Sequence, residues 1–384
     1  MISRADQSDF ADWWWTIDRA ALVSMLALIA IGLMLAFAAS PAATAHGSRQ
    51  VGDFHFAAKQ VAFALVAAAV VGSSSLLSLH GIRLLAASVF TLAIIGAVFV
   101  LLTGAEVLGA KRWIDLGFLT VQPSEFLKPS FAVLCAAILA DRSMFPIRKE
   151  IVSFLLVLLP LVLLILEPDV GQTGLLLALW GAMLFLDGIS LSWIGAISGA
   201  GAVSGALAYF LIPHVHHRID QFFEHGKPGY QSALALKAFE RGGLAGVGPG
   251  AGTIKYRIPY AHSDFIFAVA GEEFGLILCG LIALLFCILA VRLLLRSAAC
   301  RDRFSQLAGA GLSIIVALQA FINMGVAVSL LPAKGMTLPF ISYGGSSLFA
   351  VALTMGLALA VTRQRPQAEQ AAPSYASLRV AVPA

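Results

Sequence analysis

Long apolar runs alternate with short polar connections along most of the chain. A membrane-spanning helix needs roughly 20 mostly apolar residues. Ten stretches read this way: about 20–39, 57–78, 83–103, 123–140, 151–167, 171–187, 190–211, 265–291, 305–330 and 345–362. The fifth and sixth are short and meet at Glu167-Pro168-Asp169, where the proline breaks the helix. The pattern predicts an all-α integral membrane protein with ten transmembrane helices. A long segment, 212–264, separates the seventh helix from the eighth. Residues 1–19 form a polar N-terminal segment and 20–363 the transmembrane domain. The tail 364–384, with its Pro, Ala, Gln and Ser, reads as disordered.

Composition agrees with this reading. The chain has 384 residues, 59% hydrophobic and only 12% charged, with mean hydropathy +0.90. Soluble domains carry about 25% charged residues. The net charge of +4 is too small to suggest nucleic acid as a partner. Four cysteines, Cys135, Cys279, Cys287 and Cys300, show no CxxC or CxxH spacing, so neither a disulfide framework nor a zinc site is expected. No cleavable signal peptide is expected, because the first apolar run lacks an A-x-A stop.

Charge sets the orientation. An even number of spans puts both termini on one side. Lys and Arg number thirteen on that side and six in the opposite short loops. The positive-inside rule then places both termini in the cytoplasm and 212–264 outside. Trp13-Trp14-Trp15, just before the first span, reads as an interfacial anchor.

Polar residues are scarce, and most fall in four clusters on the outer side. In GAKRWIDLGFLTVQPSEFLKPS, residues 109–130, Lys111 and Arg112 stand beside Trp113. Pro123 sits near a helix start, and Glu125 and Lys128 share a helix face. They form either a neutralising pair in a capped helix or a functional pair, since a lone charge in a span is costly. The second cluster, Glu167 to Thr173, lets Asp169 cap the next helix but leaves Glu167 and Gln172 unexplained.

The third cluster is the long outer segment. Ser232 to Arg241 reads as a short helix with Ser232 as N-cap and Gly242 as stop. Its apolar side, Leu234, Ala235, Ala238 and Phe239, suits the membrane surface. Lys237 and Arg241 repel each other unless an anion lies between them. The run GGLAGVGPGAG is not a P-loop and is either a hinge or a close backbone approach. His214, His216 and His217 lack the partner cluster of a metal site.

The fourth cluster, LPAKGMTLPFISYGGSSL at 331–348, cannot form a continuous helix. Irregular backbone at membrane depth survives only where protein or water covers it. It is expected to line a cavity with Lys334, Thr337, Ser342, Ser346 and Ser347. Between the last two clusters lies YAHSDFIFAVAGEE. Asp264 opens the eighth helix as a cap or as a reactive carboxylate. Glu272 lies about 12 Å deeper at 1.5 Å per residue. Glu272 and Glu273 are expected to be protonated or paired in a structural network.

The motifs GAKRWIDLG…QPSEFLK, EPDVGQT, YQS…GGLAGVGPG, HSDFIFAVAGEE and NMGVAVSLLPAKGMTLPFISYGGSSL resemble the SEDS family (shape, elongation, division and sporulation) over about residues 12–363. Lys334 to Phe340 is similar to the division branch more than to the elongation branch. Leu108, where Asn is usual, and Ala327-Val328 depart from the common pattern. The resemblance implies ten transmembrane helices and a peptidoglycan glycosyltransferase that polymerises lipid II into a nascent glycan strand. It implies that Asp264 is essential and that Glu125 and Lys128 matter for activity. It also implies work at the division septum of the bacterial inner membrane, with a cognate class B penicillin-binding protein and other divisome membrane proteins. An elongation-type polymerase and a lipid II flippase are the alternatives.

In such a reaction a base removes a proton from a sugar hydroxyl and cations steady the departing undecaprenyl diphosphate. Asp264 is the base expected from its place at the outer start of a helix. An α-linked donor and a β-linked product require one inverting displacement and no covalent nucleophile. Lys111, Arg112, Lys128, Lys237, Arg241, Lys255 and Lys334 are the cations available. A divalent ion, magnesium or manganese, could share that task at the diphosphate, and no protein metal site is expected. Gln231, Ser232, His262, Ser342 and Ser346 complete the expected substrate-binding or supporting set.

Overall fold

The structure is a computed structural model that describes residues 8–45, 52–104, 106–107, 110–117, 119–141, 148–211, 220, 230–332 and 335–363. Lys334, the three histidines at 214–217 and the tail 364–384 lie outside the described residues.

Helices dominate. They run α1 Asp9–Thr16, α2 Arg19–Ala45, α3 His55–Ser75, α4 Leu79–Thr103, α5 Pro123–Ala140, α6 Lys149–Leu166, α7 Val170–Asp187, α8 Leu191–Leu211, α9 Tyr230–Gly242, α10 Ile266–Ala298, α11 Arg303–Ala327 and α12 Gly345–Val361. Each predicted stretch overlaps one of these helices. Among the described residues, eight helices are long and apolar enough to cross a membrane, and α12 is a shorter apolar helix. Two short antiparallel ladders were not expected. Glu106–Val107 pairs with Ala110–Lys111, and Ile114–Asp115 with Thr120–Val121. Gly117 turns the second ladder with φ 82, and its N–H is taken by the Asp115 carboxylate at 2.8 Å.

The bundle centre is α5, α11 and α12. α5 packs on α4, α6, α7 and α11, while α12 packs on α3 and α11. α11 and α12 are buried along much of their length, whereas α4 and α6 turn rows of Leu, Ile, Val and Phe outward. Such outward faces suit lipid, where helix association depends on close packing of small residues and not on hydrophobic burial. Gly32 on α2 is an example: a Cβ there would lie 2.6 Å from the Phe340 carbonyl oxygen.

At the opposite end α1 is docked on the bundle. Trp13 Nε1 donates to Ser75 Oγ at 2.8 Å. Asp18, buried, accepts from Arg292 and Arg296 on α10, each at 2.7 Å. Thr16 accepts from Arg363 at 2.6 Å. The tryptophans thus have specific protein partners as well as exposed surface.

α10 is longer than predicted and is broken at Gly275 (φ 76, ψ −176). Its first part, 266–274, is therefore a short helix that ends where a loop from 243–248 meets it.

Candidate active site

The first two clusters form one network. Pro123 occupies the first turn of α5 as expected. Glu125 and Lys128, one turn apart and both buried, pair at 2.8 Å. Gln172 Nε2 donates to the other Glu125 oxygen at 2.5 Å. Asp169 caps α7 through the Gln172 N–H at 3.2 Å and accepts from Gln122 at 3.3 Å. Arg112, from the ladder segment, donates to the Glu167 and Pro168 carbonyls at 3.0 and 2.5 Å and lies 3.8 Å from the Asp169 carboxylate. Arg112 and Lys128 are thus committed to protein groups.

The third cluster departs from expectation in two ways. α9 starts at Tyr230, so Ser232 is a buried helical residue and not an N-cap. The apolar side of α9 faces protein: Leu234, Ala235 and Ala238 are buried, and Phe239 meets Phe267 with ring centroids 5.7 Å apart. This side covers the first part of α10, where Gly271 lets the Phe239 ring come close: a Cβ there would lie 2.2 Å from it. Of the two readings of the glycine run, the structure shows the close backbone approach, made to α10. Val247 and Gly248 donate to the Glu272 and Glu273 carbonyls, and Leu276 and Ile277 donate to the Gly243 and Leu244 carbonyls. The loop thus satisfies the backbone groups that the helix break exposes. A Cβ on Gly246 would sit 2.2 Å from the Glu273 carbonyl oxygen.

Glu272 and Glu273 are paired, as the sequence suggested, and buried. Glu272 accepts backbone N–H bonds from Thr253, Ile254 and Lys255 at 2.7–2.9 Å, with Arg241 3.9 Å away. Glu273 accepts from the Gly250 N–H at 2.9 Å and from Lys255 Nζ at 2.5 Å. Lys255 is 1% exposed, so it is no cation for a substrate.

Asp264 sits where the 257–265 turn meets the 335–343 segment. The N-cap of α10 is Phe265, and no side chain caps it. The expected capping role of Asp264 is therefore absent: its backbone lies outside the helix, and its N–H bonds the Tyr260 carbonyl at 3.0 Å. Asn323 Nδ2 donates to both the Asp264 carbonyl at 2.9 Å and the Met336 carbonyl at 2.6 Å. Ser342 Oγ donates to the Ser263 carbonyl at 2.6 Å, and the Tyr343 N–H to the His262 carbonyl at 3.0 Å. Tyr260 and Phe340, one on each segment, hold left-handed backbone (φ 57 and 65). Such conformations cost about 1–3 kcal/mol and gather at functional sites.

The Asp264 carboxylate makes no ion pair among the described residues; the Ser263 side chain is the group that bonds it. Exposed Gly335 faces it, a Cβ there being 3.5 Å from Oδ2. Burial pushes Asp264 up to about 6, with the Ser263 bond opposing the rise.

The remaining expected residues are scattered. His262 is half-buried, its ring 5.0 Å from Phe56 and 5.5 Å from Tyr343. Ser342 and Ser346 are buried, the Ser342 hydroxyl accepts the Leu338 N–H at 2.8 Å, and the Thr337 and Ser347 hydroxyls bond each other at 2.5 Å, which braces the segment. Lys237 is exposed on α9, Gln231 and Lys111 are partly exposed, and Arg241 bonds Thr253. Asn323 and Gln60, whose Nε2 donates to the Ser342 carbonyl at 3.2 Å, were missed. The available signal was an amide inside an apolar run. Among the described residues no group of three His, Cys, Asp or Glu side chains gathers to hold a metal ion.

The family model described as "Cell cycle protein", covering FtsW, RodA and SpoVE, matches residues 19–367. The chain is 39% identical over 372 residues to the probable peptidoglycan glycosyltransferase FtsW of Caulobacter vibrioides, covering 96% of this chain and 94% of that one. It is 33% identical over 377 residues to the FtsW of Tolumonas auensis, with 92% and 96% covered. Among solved structures it is similar to the Thermus thermophilus rod shape determining protein RodA (TM-score 0.67, 25% identity, 91% and 97% covered). It is also similar to a chain of a peptidoglycan synthase complex that coordinates polymerisation and crosslinking (TM-score 0.73, 25% identity, 91% and 98% covered).

Proposed function

The chain belongs to the FtsW, RodA and SpoVE family of cell cycle proteins, and from that premise we propose that it is a peptidoglycan glycosyltransferase polymerising lipid II during septal wall synthesis. The observation that carries the site is Asp264. Its carboxylate is uncommitted to a cap or an ion pair among the described residues and stands at the meeting of two braced segments.

Asp264 accepts the proton of the acceptor sugar's 4-hydroxyl as that oxygen attacks the anomeric carbon of the donor. The C–O bond to undecaprenyl diphosphate breaks, the electron pair leaves with the diphosphate, and the anomeric configuration inverts. A raised pKa suits the base, since a carboxylate near 6 holds the proton more firmly yet remains ionised at neutral pH. Lys237 is exposed and Lys111 partly exposed, and these are the cations we assign to the departing diphosphate. A divalent ion finds no ready-made ligand set among the described side chains, and no step is routed through one.

The chain is a multi-pass membrane protein. We read α8 and α12 as spans with the eight longer helices, both termini as cytoplasmic, and the 212–264 segment as extracytoplasmic. The likeness to one chain of a synthase complex supports a transpeptidase partner of the class B penicillin-binding type. The higher identity to FtsW proteins favours the division role over elongation. Asp264→Asn in purified full-length protein should abolish glycan polymer while leaving the folded, monodisperse protein. Wild-type polymer yield from that variant would end the assignment.

A further inference from the structure

Two carboxylates deep in α10 remain unused by the reaction, together with a fully buried lysine. Each burial would be costly alone, yet all three are satisfied by an arrangement that reaches outward. Glu272 takes three consecutive N–H groups of 253–255. Glu273 takes the Gly250 N–H and the Lys255 ammonium. Lys255 then continues to a third element: Nζ donates to the Ala38 carbonyl of α2 at 2.6 Å.

The same stretch of α2 supports the other wall of the site. Gly32, six residues before Ala38, lies against the Phe340 and Ile341 backbone with no room for a Cβ. Phe340 belongs to the segment that Asn323 and Ser342 tie to Asp264 and Ser263. One rigid helix thus sets the 250–256 turn through Lys255 and the 336–343 segment through Gly32. The chain between the turn and the base is short, with Ile258 and Ala261 buried as anchors.

We propose that Glu272, Glu273 and Lys255 are positioning residues: they register the turn that carries Asp264 against α2, and so fix the base relative to the opposite wall of the site. The inference rests on Asp264 being the base. The charged groups facing the clamp are Arg241 from α9 and Lys255 from the turn; α2 contributes a carbonyl.

The test uses the full-length protein and three variants. Glu272→Gln turns an amide donor toward backbone donors. Lys255→Met/Glu273→Gln removes the ion pair without leaving a lone buried charge. Lys255→Arg keeps a cation able to reach both acceptors. The first two should lower kcat by about tenfold to a hundredfold, as expected of a small misplacement of a catalytic group. KM for lipid II should stay within about twofold. Lys255→Arg should restore most of the rate. Independently of activity, amide hydrogen exchange should quicken across 257–264 in the first two variants and stay unchanged along α11. Unchanged exchange at 257–264 in folded Glu272→Gln and in the double variant would overturn the clamp. If exchange quickens but Asp264→Asn still polymerises, the clamp stands and the identification of the base fails. A rise in KM at unchanged kcat would also overturn the positioning role, since it would place the clamp in substrate binding.

Discussion

The Asp264 carboxylate makes the pH dependence of polymerisation a sharp test. Burial raises its pKa from 3.8 to about 6. A general base works only when ionised, so activity must fall as pH falls through that value. The ionised fraction is roughly nine-tenths at pH 7, half at pH 6 and one-tenth at pH 5. An unperturbed aspartate would still be more than about nine-tenths ionised at pH 5. The difference between the two cases is therefore about a tenfold loss of rate between pH 7 and pH 5 against almost none. The quantity to measure is kcat/KM for lipid II, because it reports the ionisation of the free enzyme. Initial rates from pH 4.5 to 8 with purified full-length protein should show an acid limb of unit slope with its midpoint near 6. A profile flat to pH 5, or a midpoint near 4, would refute the reasoning that burial tunes this base.

Two further changes separate packing from charge. Lys128→Met leaves Glu125 buried without its cation and should cost about 3–5 kcal/mol, whereas Lys128→Met/Glu125→Gln should regain most of it; equal melting temperatures of the two variants in detergent would contradict the buried pair. Gly246→Ala and Gly250→Ala each impose positive φ on alanine, costing about 1–2 kcal/mol, but only at Gly246 would the Cβ strike the α10 backbone. Gly246→Ala should therefore melt clearly lower, and matched melting would mean that the glycine loop is not docked in the helix break.

Legibility differed between local and long-range features. The spans, the helix start at Pro123, the Asp169 cap and the Glu125–Lys128 pair depend on neighbours within one or two turns, and all were visible in the residue pattern. The link from Gln172 to Glu125 crosses 47 residues and that from Lys255 to Ala38 crosses 217, so no spacing rule could announce them. Ser232 was misread as a cap because a hydroxyl near a helix start carries the same local signal whether or not the helix has already begun. α9 was assigned to the membrane surface because its apolar side looks the same to lipid as to α10.

By itself the sequence determined the class of solvent, the helices and the family, since apolar length and motif identity are properties of the chain. It also marked Asp264 as a carboxylate near a helix start. Only the tertiary structure decided what that carboxylate is free to do. The cap position fell to Phe265, Arg112, Lys128 and Lys255 were taken by other partners, and the glycine run closed a broken helix. Those outcomes depend on which groups meet across the bundle: a buried charge takes whichever partner packing brings to it, and the carboxylate left without one is the group available for chemistry.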